Sequence, residues 1–317
     1  MWKEGFLMNK YCTVSSTIFI FIIILLIWVS QISFYRETPS LTNEISEFIN
    51  KHKVNFKKTS TIEKAIINSK RKNILVLGIE GKLRTDVIVF ISIDPKYNSL
   101  DMISIPRDTY YHEKGHDRGD QRKINSVYGR SKEKGSIEAV GKILGGVSIH
   151  NYVSIEYKGV EDIIDTLGGV EVEVPCDMVV GGMEIKKGHQ KLNGKQALQF
   201  LRFRKKYIDG DLGRIKVHQE FIDKAINKLL SSNFLEIIKD GYRSIKTDMS
   251  LEEIISYAIQ IKEIKEENIS MKVLPGKAQY KELDGKNWSF YFHDYIETKE
   301  LVKTIFYVYK RNILEFE

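Results

Sequence analysis

Two long apolar segments separated by a short charged stretch constrain the fold of this chain more than any other feature. Residues 73–95 read NILVLGIEGKLRTDVIVFISIDP, and the runs at 73–79 and 86–93 are rich in β-branched residues. Continuous apolar runs of this kind predict strands that are covered on both faces. Their spacing predicts a hairpin, and a third strand is predicted at 99–106, ending at Pro106. The join carries four charged residues, Glu80, Lys82, Arg84 and Asp86.

Downstream of these strands the apolar pattern changes to the period of amphipathic helices. Helices are predicted at 136–144, 157–167, 196–203, 212–230 and 251–264. A half-exposed strand is predicted at VEVEVP, ending at Pro175, and a late strand at ISMKVLPG. Strands alternating with helices, together with hairpins, predict an α/β fold in which helices sandwich a mixed central sheet.

The N-terminal region contains a segment long and apolar enough to cross a bilayer. No charged residue lies between Tyr11 and Tyr35, and residues 18–29 are wholly apolar. About 20 such residues span the hydrocarbon core. A cleaved signal peptide is the main alternative, but its apolar region is shorter and an A-x-A-like site is not seen here. The sequence therefore predicts one transmembrane helix preceding the α/β domain.

This segment predicts the domain organisation of the whole chain. The expected parts are a cytoplasmic tail (1–12), the transmembrane anchor (13–35), a polar linker or stalk (36–71) and an extracytoplasmic domain (72–317). The positive charges that flank the segment give only a weak bias in membrane orientation. The short N-terminal tail favours an orientation with the N-terminus inside.

The net charge and the number of cysteines limit which partners and which covalent cross-links are expected for this chain. A net charge of +7 suits nucleic acid, a phosphorylated ligand or an anionic membrane surface. We expect no nucleic-acid partner, because the domain is predicted to be exported and no DNA-binding motif is present. The two cysteines, Cys12 and Cys176, are too few and too far apart for a disulfide framework.

Clusters of arginine and carboxylate follow the predicted strands and helices. Guanidinium groups bind phosphate oxygens in bidentate fashion and stay charged, so several converging arginines suit a pyrophosphate ligand. Carboxylates among them require a hard cation such as Mg²⁺. Taken singly, each cluster has a simpler interpretation as a salt-bridged loop or a charged helix end. The clusters are Glu80/Arg84/Asp86, Arg107/Asp108, Arg202/Arg204 and the group Asp209, Asp211, Arg214, His218 and Gln219.

Taken together and in order, these segments resemble the motifs of one protein family. The stretch from residue 73 to IPRDTY resembles the LytR–CpsA–Psr family, as do KINSVYG, GGVSIHNYVSIEYKGVEDIIDTLGGVEVEVP, GHQKLNGKQALQFLRFR and DLGRIKVHQ. The resemblance runs from about Asn73 to about Phe306 and includes VLPGKAQY and LVKTIF. It implies a membrane-anchored bacterial α/β domain that binds polyprenyl-pyrophosphate-linked glycans, with the lipid tail between sheet and helices.

The activity implied by the resemblance is a phosphotransfer. The glycan, such as wall teichoic acid or capsular polysaccharide, passes as its 1-phosphate to peptidoglycan, and the lipid monophosphate is released. Two alternatives stay open: a non-catalytic, lipid-pyrophosphate-binding regulatory (attenuator) module, and a lipid pyrophosphatase that uses water as the acceptor.

The resemblance also implies roles for individual residues. Asp86 would hold Mg²⁺, or Mn²⁺ as the alternative ion, and Glu80 stands where the family commonly has the second metal-side Asp. Asp211 would orient neighbouring arginines, and Gln219 would line the phosphate pocket. Asp86, Arg107 and Arg204 are implied to act in catalysis. The phosphate-binding arginines would be Arg84, Arg107, Arg202, Arg204 and Arg214.

Overall fold

A computed structural model of the chain describes residues 69–81, 83–203 and 234–306, together with 217, 220–221, 224–225 and 228. The predicted tail (1–12), the anchor (13–35) and the linker up to residue 68 lie outside these residues, as does most of the helix predicted at 212–230. Within the described ranges, no helix combines the length and the apolar character that a membrane span requires.

The strands form one large sheet and three small two-stranded sheets. In chain order they are β1 (Lys72–Glu80), β2 (Arg84–Asp94), β3 (Ser99–Ser104), β4 (Asn151–Glu156), β5 (Val170–Val174), β6 (Met178–Val180), β7 (Met183–Ile185), β8 (Gly188–Leu192), β9 (Lys246–Thr247), β10 (Ile269–Val273), β11 (Gly276–Leu283) and β12 (Lys286–His293). The helices are α1 (Val127–Ile143), α2 (Tyr157–Thr166), α3 (Gly194–Arg202), α4 (Phe234–Tyr242), α5 (Leu251–Lys262) and α6 (Tyr295–Phe306).

The large sheet is mixed and has the order β10-β3-β2-β1-β4-β9. Strands β1, β2 and β3 follow one another antiparallel, which confirms the predicted hairpin. β4 pairs parallel to β1, and β10 pairs parallel to β3. The carboxyl ends of β1, β3, β4 and β10 therefore meet at one edge of the sheet, beside the start of β2.

Helices cover both faces of this sheet, as predicted. On one face Ile74, Val76 and the odd-numbered residues of β2 pack against α2 to α5, and on the other Leu75 and Leu77 pack against α1 and α6. The continuous apolar runs of β1 and β2 arise because both faces of these strands are buried. The predicted α/β fold with a mixed central sheet is thus confirmed for the described residues.

Several elements differ from the sequence-based expectations: strands β4, β6, β7, β8 and β9 and helix α4 were not predicted. The helix expected at 136–144 is the second half of α1, which begins at Val127 and has a break at Lys132, where φ is +49°. The hairpin of β11 and β12 was not predicted, because β11 is mostly exposed and carries no apolar alternation, although Trp288, Phe290 and Phe292 alternate along β12. Its turn nevertheless contains Asp284 and Gly285, both with positive φ, and Asp-Gly is the usual signal for such a turn.

Candidate functional site

Asp86 lies at an irregularity between the two central strands. Gly78 pairs with Val87 and Ile79 pairs with Thr85, so Asp86 has no partner residue on β1. An extra residue of this kind is a β-bulge, which bends the strand and re-aims its side chains. The bulge places the Asp86 carboxylate at the edge of the sheet where the carboxyl ends of β1, β3 and β4 meet.

Both oxygens of the Asp86 carboxylate accept a hydrogen bond. Arg107 Nη1 donates to Oδ1 at 2.6 Å, and the Tyr157 hydroxyl donates to Oδ2 at 2.7 Å. Asp86 is buried, with 9% of its surface exposed, while the Arg107 side chain is one-third exposed. A carboxylate with a charged donor on one oxygen and a neutral donor on the other has a fixed orientation.

Glu80, the last residue of β1, lies next to Asp86. Burial, the charge of Asp86 and a hydrogen bond between the two carboxyl groups raise the pKa of Glu80. The charges of Arg107 and Arg202 oppose this rise but do not cancel it. The electrostatic centre of the site therefore consists of two acids that repel one another, Glu80 and Asp86. Two guanidinium groups, of Arg107 and Arg202, lie near them.

Arg107 reaches this centre from the segment that follows β3. Its backbone carbonyl accepts a hydrogen bond from the Asn125 amide at 3.2 Å, which ties the segment to the start of α1. Burial lowers the pKa of Arg107, but the hydrogen bond and the charge of Asp86 outweigh burial and raise it. The buried Nε has no acceptor among the described residues.

Arg202 and Tyr157 come from the ends of two helices that pack together. Arg202 is the last residue of α3, and its guanidinium lies 5.1 Å from the centroid of the Tyr157 ring. Tyr157 is the first residue of α2, directly after β4. Burial, then the hydrogen bond to Asp86, raises the pKa of the Tyr157 phenol, so the hydroxyl stays protonated and acts as a donor.

The structure brings together four of the residues predicted from the sequence: Glu80, Asp86, Arg107 and Arg202. Arg84 is exposed at the start of β2, opposite Glu80 in the strand ladder. Asp108, from the Arg107/Asp108 cluster, pairs with Lys123 at 2.8 Å. The remaining predicted residues lie outside the described part of the chain: Arg204, Asp209, Asp211, Arg214, His218 and Gln219.

Tyr157 is the residue at the site that the sequence analysis did not select. From the sequence, Tyr157 was predicted to start an amphipathic helix within one of the family motifs, and no role at the site was assigned to it. The position of Tyr157, a side chain with a polar tip directly after β4, could have indicated a site residue. That inference would have required the knowledge that β4 lies beside β1. The two strands are neighbours because residues far apart in the chain pair in parallel, such as Ile74 with Asn151.

The donor set at the site fits a hard divalent cation. Mg²⁺ is usually bound by one or two carboxylates together with oxygens of the phosphate ligand and water. Glu80 and Asp86 supply two adjacent carboxyl groups, and a cation between them would relieve the repulsion that raises the pKa of Glu80. Over the described ranges no cluster of three or more His, Cys, Asp or Glu side chains is present, so a cage built entirely by protein ligands is not found there.

Comparison with curated proteins identifies relatives of known name. The chain is 29% identical over 213 residues to the polyisoprenyl-teichoic acid–peptidoglycan teichoic acid transferase TagV of Bacillus subtilis (strain 168), a match that covers 61% of this chain and 54% of TagV. It is 31% identical over 247 residues to the transferase TagU of Bacillus mycoides (strain KBAB4), covering 75% of this chain and 79% of TagU. The chain thus spans about half the length of TagV and about four-fifths of TagU.

The fold and the sequence agree on the family. The crystal structure of B. subtilis TagV matches with a TM-score of 0.59 and 27% identity, over 75% of this chain and 96% of that chain. The model of the LytR_cpsA_psr family matches residues 34–305, most of the chain. This chain is therefore a member of the LytR_cpsA_psr family.

Proposed function

We propose that this protein is a phosphotransferase that moves a cell-wall glycopolymer, as its 1-phosphate, from a polyprenyl-pyrophosphate carrier to peptidoglycan. Its relatives TagV and TagU are named as enzymes that transfer teichoic acid from a polyisoprenyl carrier to peptidoglycan. A wall teichoic acid or a similar anionic polysaccharide is accordingly the proposed cargo. The observation that carries the proposal is the arrangement around Asp86, where a buried carboxylate, a second acid and two arginines meet at one sheet edge.

The transfer needs charge stabilisation more than covalent chemistry from the protein. The acceptor hydroxyl of peptidoglycan attacks the phosphorus that carries the glycan. A new phosphodiester bond forms, the bond to the bridging oxygen breaks, and polyprenyl monophosphate leaves while the hydroxyl proton is lost. Arg107 and Arg202 are placed to neutralise negative charge on the phosphate oxygens, which is the largest contribution expected in such a site.

Magnesium is the proposed cofactor, with manganese as the alternative. Glu80 and Asp86 would hold the ion, and the bound ion would supply positive charge to the pyrophosphate oxygens. Asp86 is held ready for this role because Arg107 and Tyr157 fix both of its oxygens.

The remaining residue roles are proposed from the family motifs. Arg84, exposed at the start of β2, would bind a phosphate from the exposed side of the site. Arg204 and Arg214 would bind further phosphate oxygens, with Arg204 acting in catalysis together with Asp86 and Arg107. Asp211 would orient these arginines, and Gln219 would line the pocket.

The proposed location is the outer face of a bacterial cell membrane. The apolar segment 13–35 would anchor the chain as a single span, with the tail 1–12 inside and the linker 36–71 leading to the exported domain 72–317. A lipid-linked substrate would then meet the site from the membrane surface.

The full-length chain, purified in detergent or nanodiscs, tests this function. The substrate is a polyprenyl-pyrophosphate-linked glycan, the acceptor is a peptidoglycan fragment, and the readout is release of polyprenyl monophosphate. We expect release that requires both Mg²⁺ and the acceptor and that stops on addition of EDTA.

Other outcomes of the same assay identify the alternatives. Release that proceeds equally without peptidoglycan indicates a lipid pyrophosphatase. Binding of the lipid pyrophosphate without any release, with Mg²⁺ or Mn²⁺ present, indicates a regulatory binding module. Either result contradicts the proposed transfer.

A further inference from the structure

Tyr157 contacts two groups with different proposed tasks. Its hydroxyl donates to Asp86 Oδ2 at 2.7 Å, and its ring lies 5.1 Å from the guanidinium of Arg202. Asp86 is the proposed metal ligand and Arg202 a proposed phosphate-binding residue. One side chain therefore links the acidic part of the site with its basic part.

The hydroxyl supplies an anchor that Arg107 alone does not. The terminal torsion of an Asp side chain is broad and has no sharply preferred value. The hydrogen bond from Arg107 Nη1 to Oδ1 holds only one of the two oxygens that define the carboxylate plane. The second bond, from Tyr157 to Oδ2, fixes that plane.

The ring acts on a different partner. Arg202 is exposed at the last position of α3, and an unrestrained arginine side chain loses rotamer entropy when it binds a ligand. The aromatic face of Tyr157 attracts the guanidinium and reduces the number of conformations that it samples. Ordering of this kind before binding improves affinity for the ligand.

We propose that Tyr157 is a positioning residue with two separable parts, in which the hydroxyl fixes Asp86 for catalysis and the ring holds Arg202 for binding of the pyrophosphate. The inference rests on the proposed function and adds to it a residue outside the motif residues assigned above. Tyr157 acts through Asp86 and Arg202 and does not itself need to touch the substrate.

Two substitutions separate the parts. Tyr157→Phe keeps the ring and removes only the hydroxyl, whereas Tyr157→Leu removes both. In the full-length protein we expect Tyr157→Phe to lower kcat at least about tenfold, the typical effect of losing a hydrogen bond to a charged group, with KM changed less than about twofold. Tyr157→Leu is expected to show the same loss of kcat and, in addition, a KM raised about two- to fivefold.

Two binding measurements make the test independent of turnover. Mn²⁺ titrations followed by electron paramagnetic resonance should show affinity lowered about tenfold or more in Tyr157→Phe, the usual cost of losing a partner of a metal ligand. Calorimetry with geranylgeranyl pyrophosphate in metal-free buffer should show unchanged affinity for Tyr157→Phe and affinity lowered about two- to fivefold for Tyr157→Leu.

Tyr128→Phe is the matched control. It also removes a tyrosine hydroxyl from a carboxylate, here Glu133 at 3.1 Å, but on the other face of the sheet. We expect kcat, Mn²⁺ affinity and pyrophosphate affinity to match the wild type in this variant. Thermal melting of all three variants checks that each one folds.

Several results overturn the inference. Wild-type kcat and Mn²⁺ affinity in Tyr157→Phe overturn the role of the hydroxyl, and wild-type binding of geranylgeranyl pyrophosphate by Tyr157→Leu overturns the role of the ring. Equal losses in Tyr128→Phe overturn both, because the effect would then not be specific to the site. If the wild type shows no transfer, the proposed function fails, while the two binding measurements still decide the role of Tyr157.

Discussion

The orientation of Asp86 depends on residues that are distant in the chain. Arg107 and Tyr157 lie 21 and 71 positions away, yet each donates to one of its oxygens. A carboxylate held on both sides cannot move to suit a ligand, so the ligand has to fit the site. Preorganisation of this kind reduces the reorganisation needed as charge develops in the transition state.

Replacement of Arg107 by alanine tests this arrangement at a single residue. The change removes the 2.6 Å bond to Asp86 and one of the charges near Glu80. We expect kcat/KM for release of lipid monophosphate to fall on the order of 10²-fold or more.

Arg118→Ala is the control for Arg107→Ala, because Arg118 is largely exposed and pairs only with the nearby Asp120 in the described structure. Loss of one such surface arginine should leave kcat/KM near the wild-type value. A wild-type rate in Arg107→Ala would contradict the proposed role of Arg107.

Glu80→Gln tests the second metal ligand. The substitution keeps the size of the side chain but removes the negative charge beside Asp86. Because the affinity of an oxygen site for a divalent ion depends on its charge, we expect the Mg²⁺ concentration for half-maximal activity to rise at least about tenfold. A Mg²⁺ titration of the transfer rate measures this, and an unchanged midpoint would remove Glu80 from the metal site.

Among the secondary-structure elements, the turn between β1 and β2 depends on its contact with α1. A Cβ atom built on Gly129, near the start of α1, would lie 2.6 Å from the carbonyl oxygen of Leu83. Glycine is needed there because the backbone of the turn approaches the helix too closely for a side chain. The turn connects the strand ends that carry Glu80 and Arg84.

Gly129→Ala is therefore expected to displace the turn and lower activity. A displacement of about 1 Å in an active site can cost up to about 10²-fold in rate. Gly241→Ala in α4 is the control, since its Cβ would lie 3.5 Å from Ile163 Cγ1, an ordinary contact. We expect the control to keep its activity and to gain about 0.5–1 kcal/mol in stability. Unchanged kcat in Gly129→Ala would show that the turn tolerates the shift.

Across the whole molecule, the site and a buried ionic cluster lie at opposite ends of the sheet. Arg71, just before β1, donates to Ser92 Oγ at 2.7 Å and to Asp94 Oδ2 at 2.9 Å, and it also pairs with Asp101. These contacts connect the start of β1 to β2 and β3. The guanidinium and both carboxylates are almost completely buried.

Arg71→Met is expected to destabilise the protein strongly without changing the site. Removing one partner of a buried ion pair costs about 3–5 kcal/mol, because a buried charge is left unpaired. Thermal melting should show a midpoint lowered on the order of 10 °C, since about 1 kcal/mol corresponds to 2–4 °C in a domain of this size. Below the transition, kcat should equal that of the wild type.

The triple variant Arg71→Met/Asp94→Asn/Asp101→Asn is the control for this interpretation. It removes the unpaired charges together with the cation, so part of the lost stability should return. A triple variant that melts lower than Arg71→Met would show that the cost comes from packing and not from charge.

Strands β1, β2 and β3, most helices and the types of residue at the site could be predicted from the sequence alone. This was possible because burial on both faces leaves a continuous apolar run, as in β1 and β2, and because arginines and acids directly after such runs are visible without a structure. Strand β11 is mostly exposed and has no such run, so the β11–β12 hairpin was missed, although its Asp-Gly turn was visible.

Which of these groups meet depends on the three-dimensional packing of the strands and helices. The bulge at Asp86, the parallel pairing of β4 with β1 and the position of Tyr157 depend on contacts between distant parts of the chain. Local sequence carries the period of a strand or a helix, but it carries no information on which strand becomes its neighbour. For that reason the acids and arginines were identified from the sequence, whereas the tyrosine that links them was identified only from the fold.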